Sequence, residues 1–187
     1  DVVMTTVKDG KTSRAKGQKA VYVAETGDLT LTGNCLLDYD GNQIFGDRIV
    51  TKMEREGEAR LRAEGSARME FMVVSEGEEK PFHVTADRIV LDEKTEKAHL
   101  LGSVRIKDDS GLDIRCGRVD LDMPKNPDKK TVGGTKEAQK RIPNFVATES
   151  VIARIPRETR MIEARCDRAV YVSKEDSLEL LGNITGL

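Results

Sequence analysis

The amino-acid sequence of 187 residues predicts an all-β fold built from repeated antiparallel strand pairs. The first observation is a phrase of fixed length that occurs three times without a gap, at residues 17–35, 86–104 and 166–184. Each copy opens with a short β-rich segment and closes with a Leu-rich segment that contains a central glycine. A fixed internal register is typical of repeat architectures, in which each unit buries its apolar face against its neighbours.

The second observation is strict alternation in the closing segment of each copy. Leu100, Gly102 and Val104 share one side of an extended chain, whereas Arg105 and Lys107 lie on the other side. This pattern predicts a strand with one buried face.

The opening segment also alternates, but its phase slips by one residue. The apolar residues Val84 and Ala86 occupy even-numbered positions, whereas Ile89 and Leu91 occupy odd-numbered positions. A one-residue slip at a small residue is typical of a β-bulge, which keeps both halves of a bent strand facing the same core. The sequence Ala-Asp-Arg or Gly-Asp-Arg therefore predicts a corner.

The third observation is a set of hairpin-turn signals between the segments. They are Thr26-Gly27-Asp28, Asp40-Gly41-Asn42, Glu76-Gly77-Glu78 and Asp109-Ser110-Gly111. Residues 53–70 are rich in Glu, Arg and Ala, and propensity alone favours a helix there. The repeat register favours strands, and we follow the register.

Residues 124–143 interrupt the repeats. They contain six Lys and Arg residues but only Asp128 and Glu137 as acids, with little apolar surface to bury. We expect a mobile basic loop. A solvated insertion is the simpler interpretation, and contact with phosphate or another anion is the alternative.

The composition fits a single domain that covers residues 1–187. Aromatic residues make up 4% and charged residues 34%, with no Trp, which predicts a narrow core and solvated outer faces. The net charge of −2 argues against a dedicated nucleic-acid binder. The longest apolar runs are too short to span a membrane.

Three cysteines leave at least one unpaired in an oxidising compartment. Cys35 stands where other copies carry Val104 or Ile184, and Cys116 and Cys166 stand where others carry Gly or Ala. We interpret all three as small buried residues. A disulfide between Cys116 and Cys166 is the main alternative.

The sequence offers no catalytic constellation, and we expect no enzyme activity, metal or cofactor. Only His83 and His99 could act as a base at neutral pH, and His99 lies on the outward parity of its strand. Residues 38–42 have a faint similarity to a calcium loop, but the glycine comes too early and Ile49 occupies the place of the bidentate Glu. A hairpin turn explains this segment better.

The repeated phrases resemble the OstA/LptA-type domain of the lipopolysaccharide transport proteins. The resemblance lies in Ala-Asp-Arg-Ile at 86–89, Gly-Asp-Arg-Ile at 46–49, Leu-Gly-Ser-Val at 101–104 and Leu-Gly-Asn-Ile at 181–184. It covers about residues 17–123 and 145–187. It implies an open, twisted antiparallel β-jellyroll, with two facing sheets that form a V-shaped trough.

The resemblance also implies a periplasmic protein that carries lipopolysaccharide from the inner to the outer membrane and shields the acyl chains in the trough. The inward parity assigns these residues to the trough: Ala20, Tyr22, Leu29, Leu31, Ile89, Leu91, Leu100, Val104, Ile106, Tyr171, Leu178, Leu180 and Ile184. A scaffolding β-repeat without a ligand, or a soluble domain of an LptD-like or LptC-like partner, remains the alternative function. An enzyme or glycan-binding repeat is disfavoured by the few aromatic residues.

The two ends of the sequence are β-rich, at residues 2–7 and 178–187. Uncapped edge strands leave unpaired backbone groups that add further strands. The resemblance therefore implies end-to-end pairing with other jellyroll domains, either copies of this chain or LptC-like and LptD-like partners. The alternative is that these edges are internal in a longer protein.

Overall fold

A computed structural model describes the chain at residues 1–8, 11–39, 42–52, 60–75, 78–92, 95–123, 142–157 and 160–186. In these residues the regular structure is entirely β. The strands are β1 (Val2–Lys8), β2 (Lys11–Gly17), β3 (Lys19–Val23), β4 (Asp28–Tyr39), β5 (Asn42–Lys52), β6 (Arg60–Ser75), β7 (Glu78–Asp92), β8 (Lys97–Lys107), β9 (Asp113–Asp122), β10 (Phe145–Arg157), β11 (Arg160–Val172) and β12 (Ser177–Leu181). The all-β prediction is confirmed.

The strands form a single antiparallel sheet in which each strand pairs with its neighbours in sequence, except that β2 and β3 both pair with β4. The first strand of the repeat is split in two. β2 pairs with the second half of β4, whereas β3 pairs with its first half. Together β2 and β3 therefore make one bent strand that follows β4 around a corner.

The long strands bend where the repeated phrase predicts a corner. Between β7 and β8, Thr85 pairs with Arg105 and Arg88 pairs with Leu101, so that the register shifts by one residue across the corner. The same one-residue shift occurs between β4 and β5, β5 and β6, β6 and β7, β8 and β9, and on both sides of β10. The predicted corner is confirmed.

The row of corners divides the sheet into two parts that we call half-sheet A and half-sheet B. Half-sheet A contains β1, β2 and residues 35–39, 42–46, 67–75, 78–86, 104–107, 113–116, 151–157 and 160–166. Half-sheet B contains β3, β12 and residues 28–32, 48–52, 60–64, 88–92, 97–101, 118–122, 145–148 and 168–172.

The core lies between the two half-sheets. Inward side chains such as Val84 and Ile106 in half-sheet A and Ile89 and Leu100 in half-sheet B have almost no solvent exposure. One face of a single sheet is buried only when a second layer covers it. The two half-sheets therefore cover each other, and charged residues such as Arg105 and Lys107 lie on the outer face.

At every second strand pair, a side chain packs against a glycine of the neighbouring strand at the corner. Gly102 has a φ of 73° and Ser103 a φ of 45°, both in the left-handed region. A Cβ on Gly102 would lie 3.0 Å from Cγ of Asp87 on the neighbouring strand. Glycine is required here because it tolerates the backbone conformation and leaves room for the Asp87 carboxylate. This pairing explains why the Asp and the Gly recur together in the sequence.

The other corners repeat this arrangement with small changes. Gly65 lies against Asp47, Gly182 against Asp167, and Gly33 against Gln18.

At the β9–β10 corner the left-handed backbone lies on the strand that supplies the acid and not on the strand that carries the glycine. Gly117 on β9 lies against Glu149, and it is Glu149 and Ser150 on β10 that have the left-handed backbone.

Most of the other local predictions are also confirmed in the described residues. Residues 60–70 are part of β6, as the repeat register predicted, whereas 53–59 lie outside the described residues. Turns occur at 24–27 and 109–110. The predicted turns at 40–41 and 76–77 and the basic segment 124–141 lie outside the described residues, and only 142–143 of that predicted loop are described.

All three cysteines are free and buried, as the repeat alignment predicted. The alternative disulfide between Cys116 and Cys166 is not formed. Each of these two thiols instead donates to a backbone carbonyl across its own corner, Cys116 to Arg118 O at 3.3 Å and Cys166 to Arg168 O at 3.3 Å.

Replacing Gly102 by Ala should lower the free energy of unfolding by about 1–3 kcal/mol, because the new methyl meets Asp87 and the left-handed backbone is strained. Chemical denaturation of the purified variant measures this loss. Gly17→Ala is the matched control, since its Cβ would make only ordinary contacts of 3.4–3.6 Å. Part of the loss should be recovered by Asp87→Ala in the Gly102→Ala background; equal losses in Gly102→Ala and Gly17→Ala would contradict this account of the corner.

Candidate functional site: the interior and its two ends

The predicted trough residues lie at three levels of burial. The buried group occupies the centre of the interior and consists of Leu29, Leu31, Ile89, Leu91, Leu100, Val104, Ile106 and Tyr171. Ala20, Leu178 and Leu180 are half-buried on the terminal strands and pack against the core. Tyr22 and Ile184 are 43% and 45% exposed. The central positions are thus filled by the protein's own side chains, and the solvent-exposed members of the set lie at the two ends.

Two aromatic pairs contribute to this interior. Phe71 and Phe82 lie on β6 and β7 with their ring centroids 4.9 Å apart. Phe145 and Tyr171 stack on β10 and β11 at 5.3 Å, and the Tyr171 hydroxyl donates to Asp176 Oδ1 at 2.7 Å. The aromatic side chains therefore line different parts of the interior, one pair in each half-sheet.

The large exposed apolar side chains of the described residues are confined to β1, β3, β11, β12 and the residues that follow β12. At one end they are Val3, Val21, Tyr22 and Val23, and at the other end Met161, Leu181 and Ile184. Sequence reasoning selected Tyr22 and Ile184 but missed the other five. The signal for Val21 and Val23 was available, because a short strand that is apolar on both parities does not fit a solvated outer face.

The same strands have free edges in the described residues. β1 pairs only with β2, β3 only with β4, and β12 only with β11. The outer edge of β11 is bridged once, between Arg165 and Thr185. Each end of the sheet therefore presents one edge from half-sheet A and one from half-sheet B.

Each of the two histidines, the candidate bases at neutral pH, lies against a carboxylate of the neighbouring strand. His99 Nδ1 lies 2.6 Å from Asp120 Oδ1, which also binds Arg118 at 3.1 Å, and His83 lies 3.4 Å from Glu70. No cluster of His, Cys, Asp or Glu able to hold a metal ion occurs among the described residues.

The cysteine thiols are poor nucleophiles in this environment. Burial raises the pKa of Cys116 to about 11 and also raises those of Cys35 and Cys166. All three therefore stay protonated at neutral pH.

A charge network on the outer face surrounds Asp113, the buried acid of the described residues. Arg105 donates two hydrogen bonds to its carboxylate, at 2.9 and 2.6 Å, and Arg115 donates a third at 3.3 Å. These hydrogen bonds hold the pKa of Asp113 well below its usual range. A similar cluster on β5, β6 and β7 places Glu64 among Arg48, Arg62 and Arg88. These networks stabilise the outer face and leave the interior apolar.

A folded antiparallel sheet with an apolar interior, charged outer faces and free edges at both ends defines the class of open β-jellyrolls. The chain belongs to the family described as LptA/(LptD N-terminal domain) LPS transport protein, whose model matches residues 1–57 and 83–185. The resemblance found in the repeated phrases is thereby confirmed.

A similar solved structure is LptH of Pseudomonas aeruginosa, described as the LptA-homologous periplasmic component of the lipopolysaccharide transport device. It is 12% identical to this chain, with a TM-score of 0.53, over 65% of this chain and 88% of LptH. At this identity the likeness confirms the fold. No curated protein matches the chain. Within the described residues no helix has the length and apolarity needed to cross a bilayer.

Replacing Asp113 by Asn should destabilise the protein at pH 7 by about 2 kcal/mol, because charge-assisted hydrogen bonds to two arginines are lost. The folded-state pKa of Asp113 lies below its unfolded value, so its stabilisation is present above about pH 4 and is lost as the pH falls further. The difference in unfolding free energy between wild type and variant should therefore shrink below about pH 4. Asp109→Asn in the exposed turn is the control, and a difference independent of pH would argue against the ionised carboxylate as the cause.

Proposed function

We propose that this chain is a bridge component of lipopolysaccharide transport, which carries the lipid across the periplasm with its acyl chains shielded between the two half-sheets. The observation that carries the proposal is an apolar interior that runs from β3 to β12 and ends at both sides in exposed apolar side chains. Membership of the lipopolysaccharide transport family supports it.

The physical need for such an interior follows from the lipid. Each buried CH₂ group contributes about 0.8 kcal/mol, so that several long acyl chains in water are strongly unfavourable. A row of alternating inward residues offers a continuous apolar surface. Because the central side chains are fully packed, a lipid enters first at the half-buried ends, near Ala20 or Leu180, and proceeds only if the half-sheets move apart.

A scaffolding role without a ligand is the second candidate. The closed centre favours it, since Leu31, Ile89 and Leu100 are inaccessible to solvent, as in an ordinary core. The two candidates differ in one respect that can be measured, namely whether lipid reaches the inward positions.

Photo-crosslinking residues placed at Leu31, Leu91, Leu100 and Leu180 should capture lipopolysaccharide in a carrier. The matched controls are Thr30 and Glu179, which precede Leu31 and Leu180 and have the opposite strand parity. Gel-shift detection with an antibody to the lipid measures the adduct. Capture at Leu180 and not at Glu179 supports the carrier, and absence of adducts at all four inward positions in vesicle-loaded protein leaves the scaffold as the function.

We further propose that the two ends pair with other jellyroll domains through their free edges. In half-sheet A, β1 of one molecule would extend the edge of β11 in the next molecule. In half-sheet B, β3 would extend β12. Both junctions are heterologous and continue the interior from one molecule to the next. Exposed Val21 and Leu181 would be covered at the second junction.

Leu181→Lys and Val21→Lys should each abolish self-association, because a lysine on an edge opposes strand addition. Both side chains are exposed, so the monomer should remain folded. An equimolar mixture of the two variants should form a one-to-one complex, since each retains the end that the other lacks. Sedimentation velocity measures these states. A wild type that stays monomeric at high concentration and binds no related jellyroll would contradict the pairing.

A further inference from the structure

The tip of the β10–β11 hairpin carries two arginines in direct register. Arg157 pairs with Arg160, and the next pair of the same parity toward the corner is Ile155 with Ile162. The pair after that is Ala153 with Ala164. This hairpin belongs to half-sheet A, and β11 forms its outer edge there.

Strand alternation places both arginines on the inward face. Ala153 and Ala164 are fully buried, and Ile155, two residues further, still packs against the core. Arg157 and Arg160 follow at the same parity and are exposed. The inward face of this hairpin therefore changes from small apolar side chains, through two isoleucines, to two guanidinium groups at the rim of the interior.

The charges of these two arginines are not balanced within the described residues. Arg154 on the outward face of the same hairpin is bound to Glu163 at 2.7 Å, but no ion pair joins Arg157 or Arg160 to a described acid. Glu158 follows Arg157 in the sequence and lies outside the described residues. Like charges directly opposite each other on neighbouring strands are destabilising unless an anion lies between them.

We propose that Arg157 and Arg160 bind a phosphate group of the carried lipid, while its acyl chains lie along Ile155 and Ile162. The proposal rests on the proposed carrier function and adds a headgroup site to it. Two guanidinium groups on adjacent strands offer several parallel N–H donors, which match the oxygens of a phosphate. An isoleucine pair one step inside the rim suits the first methylene groups of a chain. The site lies beside the free edge of β11, at one open end of the interior.

The test compares a phosphorylated lipopolysaccharide with the same molecule after enzymatic removal of its phosphates. The double variant R157Q/R160Q should bind the phosphorylated form about tenfold more weakly than wild type, and the dephosphorylated form equally well. R154Q/R165Q, on the outward face of the same two strands, is the matched control and should change neither affinity. The R157K/R160K variant should recover part of the loss, because it keeps the charge but not the planar donors.

Each result separates this site from the carrier function. Wild-type protein that binds neither lipid form overturns both proposals. Binding of both forms with an unchanged affinity in R157Q/R160Q overturns the arginine site and leaves the carrier. Inorganic phosphate at millimolar concentration should not displace the lipid, since the acyl chains provide most of the affinity; displacement would identify a free-phosphate site and overturn the headgroup assignment. The melting temperature of R157Q/R160Q should be no lower than that of wild type, because both arginines are exposed and their charges lie directly opposite each other.

Discussion

The contact between a glycine and a polar side chain, acidic in all cases but Gln18, recurs at every second strand pair and is the constraint on which the rest of this structure depends. Asp87 over Gly102 is the clearest case, and the contact lies where the long strands bend and the register between β7 and β8 shifts by one residue. The bend in turn lets one continuous sheet cover its own apolar face. Without the row of corners, strands such as β6 and β7 would form a flat sheet whose apolar face is exposed to water.

The interior and the outer faces follow from this geometry in different ways. Inside, alternation places apolar side chains from both half-sheets in one layer, which includes fully buried small residues such as Ala153 and Ala164. On the outer faces, alternation places charged side chains in rows. Several arginines pair with the same carboxylate there, as Glu64 does with Arg48, Arg62 and Arg88. Because the charged side chains lie on the outer faces and the apolar side chains lie inside, a chain with 34% charged residues still has a dry core.

Sequence reasoning succeeded where one residue type has one physical explanation. Ala-Asp-Arg followed by Leu-Gly-Ser specifies a corner, because the corner needs both a left-handed glycine and a neighbouring Asp side chain that packs against it. It did not predict the bend in β10, because Glu149 and Ser150 adopt the left-handed conformation there without a glycine. Parity also could not show that Leu100 is sealed while Tyr22 is exposed, because that depends on how the opposite half-sheet lies.

The alternation of corner types along the chain limits how such a protein can change in length. From β4 to β8, strands with a left-handed glycine alternate with strands that supply the acid, as Gly65 on β6 alternates with Asp87 on β7. Insertion of one strand would place two glycines or two carboxylates side by side. In evolution, such a chain should therefore gain or lose whole hairpins. The length of the molecule across its strands then changes in steps of two strands, and each step is about 10 Å.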